Sequence, residues 1–220
     1  MRRIALFGGT FNPVHLGHLR VAEEVREGFA LDSLYFIPAA NPPHKSHREI
    51  AHAVDRYEML LRATRGNPAF EVSELELQRG GRSYTIDTVK QISGGMPEDA
   101  RCWLVMGVDA FEEIETWKSY TELFECIEII VLSRPDARGG GDLIDIVSKV
   151  VSDRISGQYR FEPENRRFVH PGKKAVYPFS ATSLDISASR IRSLIKAKAS
   201  VRYLVPESVE AYIHEKGLYL

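Results

Sequence analysis

Ile4-Ala5-Leu6-Phe7-Gly8-Gly9-Thr10-Phe11-Asn12-Pro13-Val14-His15-Leu16-Gly17-His18 is the stretch that decides the fold. It opens on a short apolar run and turns through two glycines. It then leads into a segment where Leu19, Ala22, Val25 and Phe29 recur at helical spacing. Strand, glycine turn and helix in this order read as a phosphate-handling turn. Glycines without Cβ let the backbone approach an anion, and the free N–H groups and dipole at the following helix start favour negative charge. His15 and His18, three apart, lie side by side in helical geometry and can both donate to phosphoryl oxygens, with Gly17 keeping the surface between them open. The string is not the G-x-G-x-x-G of dinucleotide-binding proteins and lacks the Lys-Ser/Thr of a P-loop. Zincin-type metal binding needs His at i and i+4 with an intervening Glu, so no metal ligands are expected here.

Composition narrows the class further. With 220 residues the chain can bury a substantial core, and one domain with a smaller appendage is expected. Hydrophobic residues at 44% and charged residues at 27% suit a globular protein, and a net charge of -1 provides no global attraction to nucleic acid or anionic membrane. Any polyanion must therefore be met by a local site. Cys102 and Cys126 have no C-x-x-C spacing, which argues against a disulfide framework or zinc cluster and for a reducing compartment. The apolar run after Arg2 and Arg3 is too short for a signal peptide and no segment reaches the length of a membrane span, so a cytoplasmic protein is expected.

Along the chain, apolar runs alternate with helix-period segments. A second strand is predicted at Leu34 to Ile37, ended by Pro38. A helix follows on Val54, Tyr57, Leu61 and Thr64, then a strand around Glu71 to Leu77 and a helix from near Thr85. Trp103 to Met106 and Ile127 to Leu132 read as buried strands. Strands separated by helices predict a mostly parallel sheet covered on both faces, with ligands at the carboxyl ends of the strands. After a Gly-rich loop at Arg138 to Gly141, the spacing of Leu143, Ile146, Val147 and Val150 predicts a packing helix. Two helices are expected near the C-terminus, one over Ser189 to Ala199 and one opened by Pro206. The second bears a stripe of Val209, Tyr212 and Ile213 that can serve the core or a homo-oligomer contact.

Near the C-terminus, Ile186-Ser187-Ala188-Ser189-Arg190-Ile191-Arg192 sets hydroxyls and guanidiniums around a helix start. Ser187 or Ser189 can cap that helix. Beside a phosphate turn the same group makes a second anion site, with Arg192 offering a planar fork of donors.

Taken together, these elements resemble the bacterial nicotinate-mononucleotide adenylyltransferases of the nucleotidyltransferase superfamily, over nearly the whole chain. The elements are Gly8 to His18; Pro38-Ala39-Ala40-Asn41-Pro42-Pro43-His44-Lys45; Ser83-Tyr84-Thr85-Ile86-Asp87-Thr88; Gly107-Val108-Asp109 with Trp117; Ser133-Arg134-Pro135; Ile186 to Arg192; and Leu204-Val205-Pro206. The resemblance implies an α/β fold: a Rossmann-like parallel sheet flanked by helices over residues 1–185, and a small C-terminal helical subdomain, 186–220, that completes an ATP site. It also implies adenylyl transfer from ATP to nicotinate mononucleotide, with Mg2+ carried on the ATP. His18 would contact the α-phosphate, while His15, Thr10, Phe11 and Arg192 hold the β- and γ-phosphates; Gly8, Gly9, Asn12, Ser133, Arg134, Ser187 and Ser189 fall on the same side. Gly107 and Asp109 resemble residues that meet the ribose hydroxyls. On the substrate side, Trp117 offers a face for the pyridine ring, Thr85 with nearby N–H groups meets the nicotinate carboxylate, His44 and Lys45 lie where the mononucleotide phosphate arrives, and Asn41 and Tyr84 are implied to bind the same substrate. Trp117 can equally be a core aromatic, and Thr85 or Asp109 a helix cap. Asn12 stands where many relatives carry Asp.

Overall fold

Ile4 and Leu6 point to one side of the first strand, Arg3–Gly9 (β1), and Ala5 and Phe7 to the other. This alternation runs through the central sheet of the computed structural model, which describes residues 1–42, 50–97, 99–133 and 142–220. The remaining strands are β2 (Ser33–Pro38), β3 (Phe70–Val72), β4 (Arg101–Gly107), β5 (Glu128–Leu132), β6 (Arg160–Glu162), β7 (Arg167–His170) and β8 (Lys173–Phe179). They form one sheet in the order β3-β2-β1-β4-β5-β8-β7-β6. β1 to β5 and β8 pair in parallel, and at one edge β7 runs antiparallel to both β8 and β6.

The helices are α1 (Leu16–Gly28), α2 (Ala53–Thr64), α3 (Leu75–Arg79), α4 (Thr85–Ser93), α5 (Val108–Glu112), α6 (Tyr120–Cys126), α7 (Leu143–Val150), α8 (Ala188–Lys196) and α9 (Glu207–Lys216). Ala5, Phe7, Leu34, Phe36, Trp103 and Val105 meet apolar side chains of α1, α2, α8 and α9 on one face. Ile4, Leu6, Leu104, Met106, Ile129 and Val131 meet those of α4, α5, α6 and α7 on the other. Both faces are covered, which is why the central strands read as near-continuous apolar runs. Val209, Tyr212 and Ile213 belong to the first of these clusters, so that stripe is core.

Two expectations need correction, and three strands went unpredicted. The strand predicted over Glu71 to Leu77 ends at Val72, and Leu75–Arg79 is helical. The alternation of that segment imitates a strand, but Glu76 turns inward to accept a hydrogen bond from Thr88 Oγ1 at 2.6 Å and pairs with Arg79 three residues on, a helical spacing. On α2 the expected stripe is rotated: Val54 and Leu61 are exposed, whereas Arg56, Met59, Leu60 and Thr64 are buried. The strands β6, β7 and β8 were not expected: β6 and β7 are short and charge-rich, and the apolar run of β8, Ala175 to Phe179, follows two lysines and contains a proline.

After β1 the chain builds β2 and β3 on one side and returns to place β4 on the other. At such a switch point the connections leave in opposite directions and a crevice opens outside the carboxyl ends. The glycine turn of residues 8–12 stands at this crevice.

Candidate active site

Two cavities meet at the switch point and share Phe7 and Gly107, at the carboxyl ends of β1 and β4. The first, of about 290 Å³, is lined by His15, Gly17, His18, Val21, Ser133 and the segment Ala181–Leu184. The second, of about 350 Å³, is lined by Gly8, Gly9, Thr10, Pro42, Glu76, Tyr84, Thr85, Trp117 and Lys118 among others.

The turn between them is shaped by close packing. A Cβ on Gly9 would lie 2.8 Å from the Phe11 ring, whereas above Gly8 and Gly107 there is open space, so a ligand can approach the backbone there. Phe11 itself occupies the left-handed region at φ 46° and sets its ring edge-on to His18, with centroids 5.1 Å apart.

His15 and His18 stack face to face, with centroids 3.6 Å apart and planes inclined by 27°. His15 is the N-cap of α1, and its main-chain N–H donates to His18 Nδ1 at 3.3 Å. That bond leaves Nε2 as the nitrogen of neutral His18 that carries a proton. His15 is only 7% exposed, and burial lowers its pKa to about 4, so it is neutral near pH 7. A Cβ on Gly17 would press on His15 Nδ1 at 3.1 Å, so this glycine makes room for the ring. One expected donor is already engaged: the Leu16 N–H is bonded to the Leu204 carbonyl at 2.9 Å.

Asn12 ties the turn to distant parts of the chain. Its main-chain carbonyl accepts from Arg192 Nη1 of α8 at 2.9 Å, and its side-chain Oδ1 accepts from the Ala51 N–H at 3.0 Å and the Tyr219 hydroxyl at 2.8 Å. Arg192 therefore stands beside the phosphate turn. At the start of α8, Ser187 accepts from the Arg190 N–H at 3.3 Å and lies 3.2 Å from the Ser189 hydroxyl.

Arg56, 1% exposed, was read as part of no site, yet it fastens the crevice walls. Its guanidinium donates to the carbonyls of Thr10 at 2.8 Å, Ala39 at 2.6 Å, Ala40 at 3.3 Å and Ala51 at 3.0 Å. Carbonyl dipoles solvate the buried charge, and burial still lowers its pKa. Nothing in local spacing marks it, since an arginine on an amphipathic helix reads as a solvated face.

In the larger cavity, Tyr84 and Thr85 lie at the start of α4, where helix N–H groups favour a carboxylate. Asn41 and Ser83 hold this wall to the end of β2: the Ser83 N–H donates to the Asn41 carbonyl and the Asn41 N–H to the Ser83 hydroxyl, both at 3.1 Å. Trp117 lines the cavity and packs on the core. Beside it, Lys118 sits 4.8 Å from the Tyr84 ring centre and pairs with Asp87 at 2.9 Å, a wall residue that sequence reasoning missed. Asp109 is in the first turn of α5, adjacent to Gly107. His44, Lys45 and Arg134 lie outside the described residues, as does the Gly-rich loop Arg138 to Gly141.

Among the described residues no three His, Cys, Asp or Glu side chains come together, and no helix is long and apolar enough to cross a membrane.

Comparison with known proteins fits this geometry. A model of the cytidylyltransferase-like family matches residues 6–194. A protein of Geobacter sp. (strain M21) named "Probable nicotinate-nucleotide adenylyltransferase" is 41% identical over 218 residues, covering 99% of this chain and 98% of that one. A protein of the same name from Desulfatibacillum aliphaticivorans is 40% identical over 220 residues, covering 99% and 100%. The chain belongs to the nicotinate-nucleotide adenylyltransferase family. Among solved structures, the Plasmodium falciparum nicotinic acid mononucleotide adenylyltransferase complexed with NaAD matches with a TM-score of 0.75 at 17% identity, over 100% of this chain and 98% of that chain. That likeness shows the Rossmann-like fold, and family membership makes the two-cavity crevice the candidate active site of an adenylyltransferase.

Proposed function

We propose that this protein transfers the adenylyl group of ATP to nicotinate mononucleotide, releasing nicotinate adenine dinucleotide and pyrophosphate. The observation that carries this reading is the junction of the two cavities at Phe7 and Gly107, with stacked histidines on one side and Trp117 with the start of α4 on the other. One reactant fits each side, and their phosphates meet at the glycine turn. The curated relatives' name and the solved relative bound to NaAD support the same pair of substrates.

The mononucleotide phosphate is already anionic at neutral pH, so its oxygen needs no protein base to attack the α-phosphorus. A new P–O bond forms there as the bond to the β-phosphate breaks, and its electron pair leaves with pyrophosphate. The barrier comes from charge repulsion, which positioning and electrostatic stabilisation reduce. His18 donates from Nε2 to the α-phosphate, and His15, Thr10, Phe11 and Arg192 hold the β- and γ-phosphates. Gly8, Gly9, Asn12, Ser133, Ser187 and Ser189 complete that side, and residues 186–220 act as the part that closes the ATP site. Gly107 and Asp109 meet the ribose, Trp117 stacks on the pyridine ring, and Thr85 with Tyr84 and Asn41 receives the nicotinate end.

Mg2+ is the cation proposed to accompany ATP. No step is assigned to it. A cytoplasmic location follows from substrates of this kind.

Pyrophosphate release, measured with nicotinate mononucleotide, its amide and phosphopantetheine as acceptors, tests the reading. Release with nicotinate mononucleotide at least tenfold above phosphopantetheine is expected. Equal or greater release with phosphopantetheine overturns it.

A further inference from the structure

The segment after α9 reaches back to the start of the site. Gly217 takes a left-handed conformation, the Leu218 N–H donates to the Ile213 carbonyl, and Tyr219 is itself held at φ 67°. A non-glycine residue in the left-handed region carries a conformational cost that its surroundings must offset. Here the Tyr219 hydroxyl donates to Asn12 Oδ1 at 2.8 Å, across 207 positions of sequence.

The surroundings of that hydroxyl are those of the phosphate turn. The same Oδ1 accepts from the Ala51 N–H, the Asn12 carbonyl accepts from Arg192, and the carbonyl of Thr10 accepts from Arg56. The charges of Arg192, Arg56 and Asp55 all act on the phenol. Burial outweighs the two cations and raises its pKa, so it remains a donor at neutral pH. As a donor it serves Asn12 in a way an aliphatic or carboxylate side chain could not.

We propose that Tyr219 is a positioning residue for adenylyl transfer: by orienting Asn12 it sets Arg192 against the turn that receives the triphosphate. The inference rests on the function proposed above for the same site. It departs from a plain packing role in one respect: loss of the hydroxyl must weaken the ATP side selectively.

The test is Tyr219→Phe, which keeps the ring and removes one hydroxyl. A lost hydrogen bond of this kind is expected to lower kcat/KM for ATP about five- to tenfold. The KM for nicotinate mononucleotide should change less than twofold. Calorimetric titration of ATP alone should show a similar loss of affinity, and this arm holds whatever the acceptor proves to be. Wild-type turnover with nicotinate mononucleotide separately tests the functional reading. In a double-mutant cycle, Tyr219→Phe added to Asn12→Ala should cost nothing further, because Tyr219 acts through Asn12. Unchanged ATP affinity in a folded Tyr219→Phe protein, equal losses for both substrates, or additive effects in the cycle each overturn the proposal.

Discussion

The histidine cavity and the tryptophan cavity share two residues and draw their chemistry from the chain in different ways. Both imidazoles of the first come from a single stretch, His15 to Val21, packed tightly enough that a glycine is needed to fit one ring, while Ser133 and the segment around Ala181–Leu184 wall it from elsewhere. The second is assembled from separated segments: the glycine turn, the end of β2, Glu76, the start of α4, the end of β4 and the region around Trp117. The difference teaches where each kind of task can be met. Charge handling during bond exchange needs fixed donors, which a short strand-to-helix turn supplies locally. Recognition of an aromatic acid needs a ring face and a carboxylate site on different elements, which only the folded chain brings together.

If the first cavity houses chemistry and the second recognition, substitutions on the two sides must separate in kinetics. His18→Ala should show the largest effect, a fall in kcat of about 10²–10³-fold with the KM for nicotinate mononucleotide little changed, as for loss of a transition-state donor. Steady-state kinetics on a variant with native circular dichroism checks this; near-wild-type turnover would remove the contrast.

The burial of His15 sharpens the comparison through pH. Its folded-state pKa, about 4, lies below the 6.5 of the unfolded chain, so the unfolded state takes up the proton first as pH falls. This contribution is fully present above pH 6.5 and is lost between 6.5 and about 4, amounting to roughly 3 kcal/mol at most. Urea unfolding at several pH values should show a steeper acid decline for the wild type than for His15→Asn. Parallel declines would mean that the ring is not held dry.

On the recognition side, Trp117→Ala should raise the KM for nicotinate mononucleotide about tenfold, the scale of a lost ring stack, with kcat within a fewfold. A larger fall in kcat than rise in KM would place the ring in the chemistry instead. Thr85→Val carries the smallest effect. It should weaken nicotinate mononucleotide about fivefold and its amide less, since one neutral hydrogen bond is at stake; equal losses for the two acceptors would assign Thr85 to capping.

How much of this was legible in the sequence follows the same division. The strand, turn and helix from Ile4 to Phe29 could be read directly, because their apolar periods and glycines are local signals. β2, β4 and β5 could be read for the same reason. The Glu71 to Leu77 segment misled because its two-residue alternation is also what a short helix shows when a buried carboxylate, Glu76, stands among leucines. Arg56 was invisible for a related reason: its worth lies in four carbonyls from segments 5 to 46 residues away, and no spacing rule encodes them. Arg192 was legible as the donor fork of a second anion site at a helix start. Its contact with Asn12 required the fold.

The path of the chain has a consequence for folding. Leu16 awaits the carbonyl of Leu204, and Asn12 awaits Tyr219 across 207 positions. Contacts of such long sequence separation close slowly compared with local pairing, so β1 and α1 can form while the entrance of the nucleotide crevice is still unfinished. Substitutions around α9 that leave the sheet intact therefore bear on a turn formed by residues 8–12.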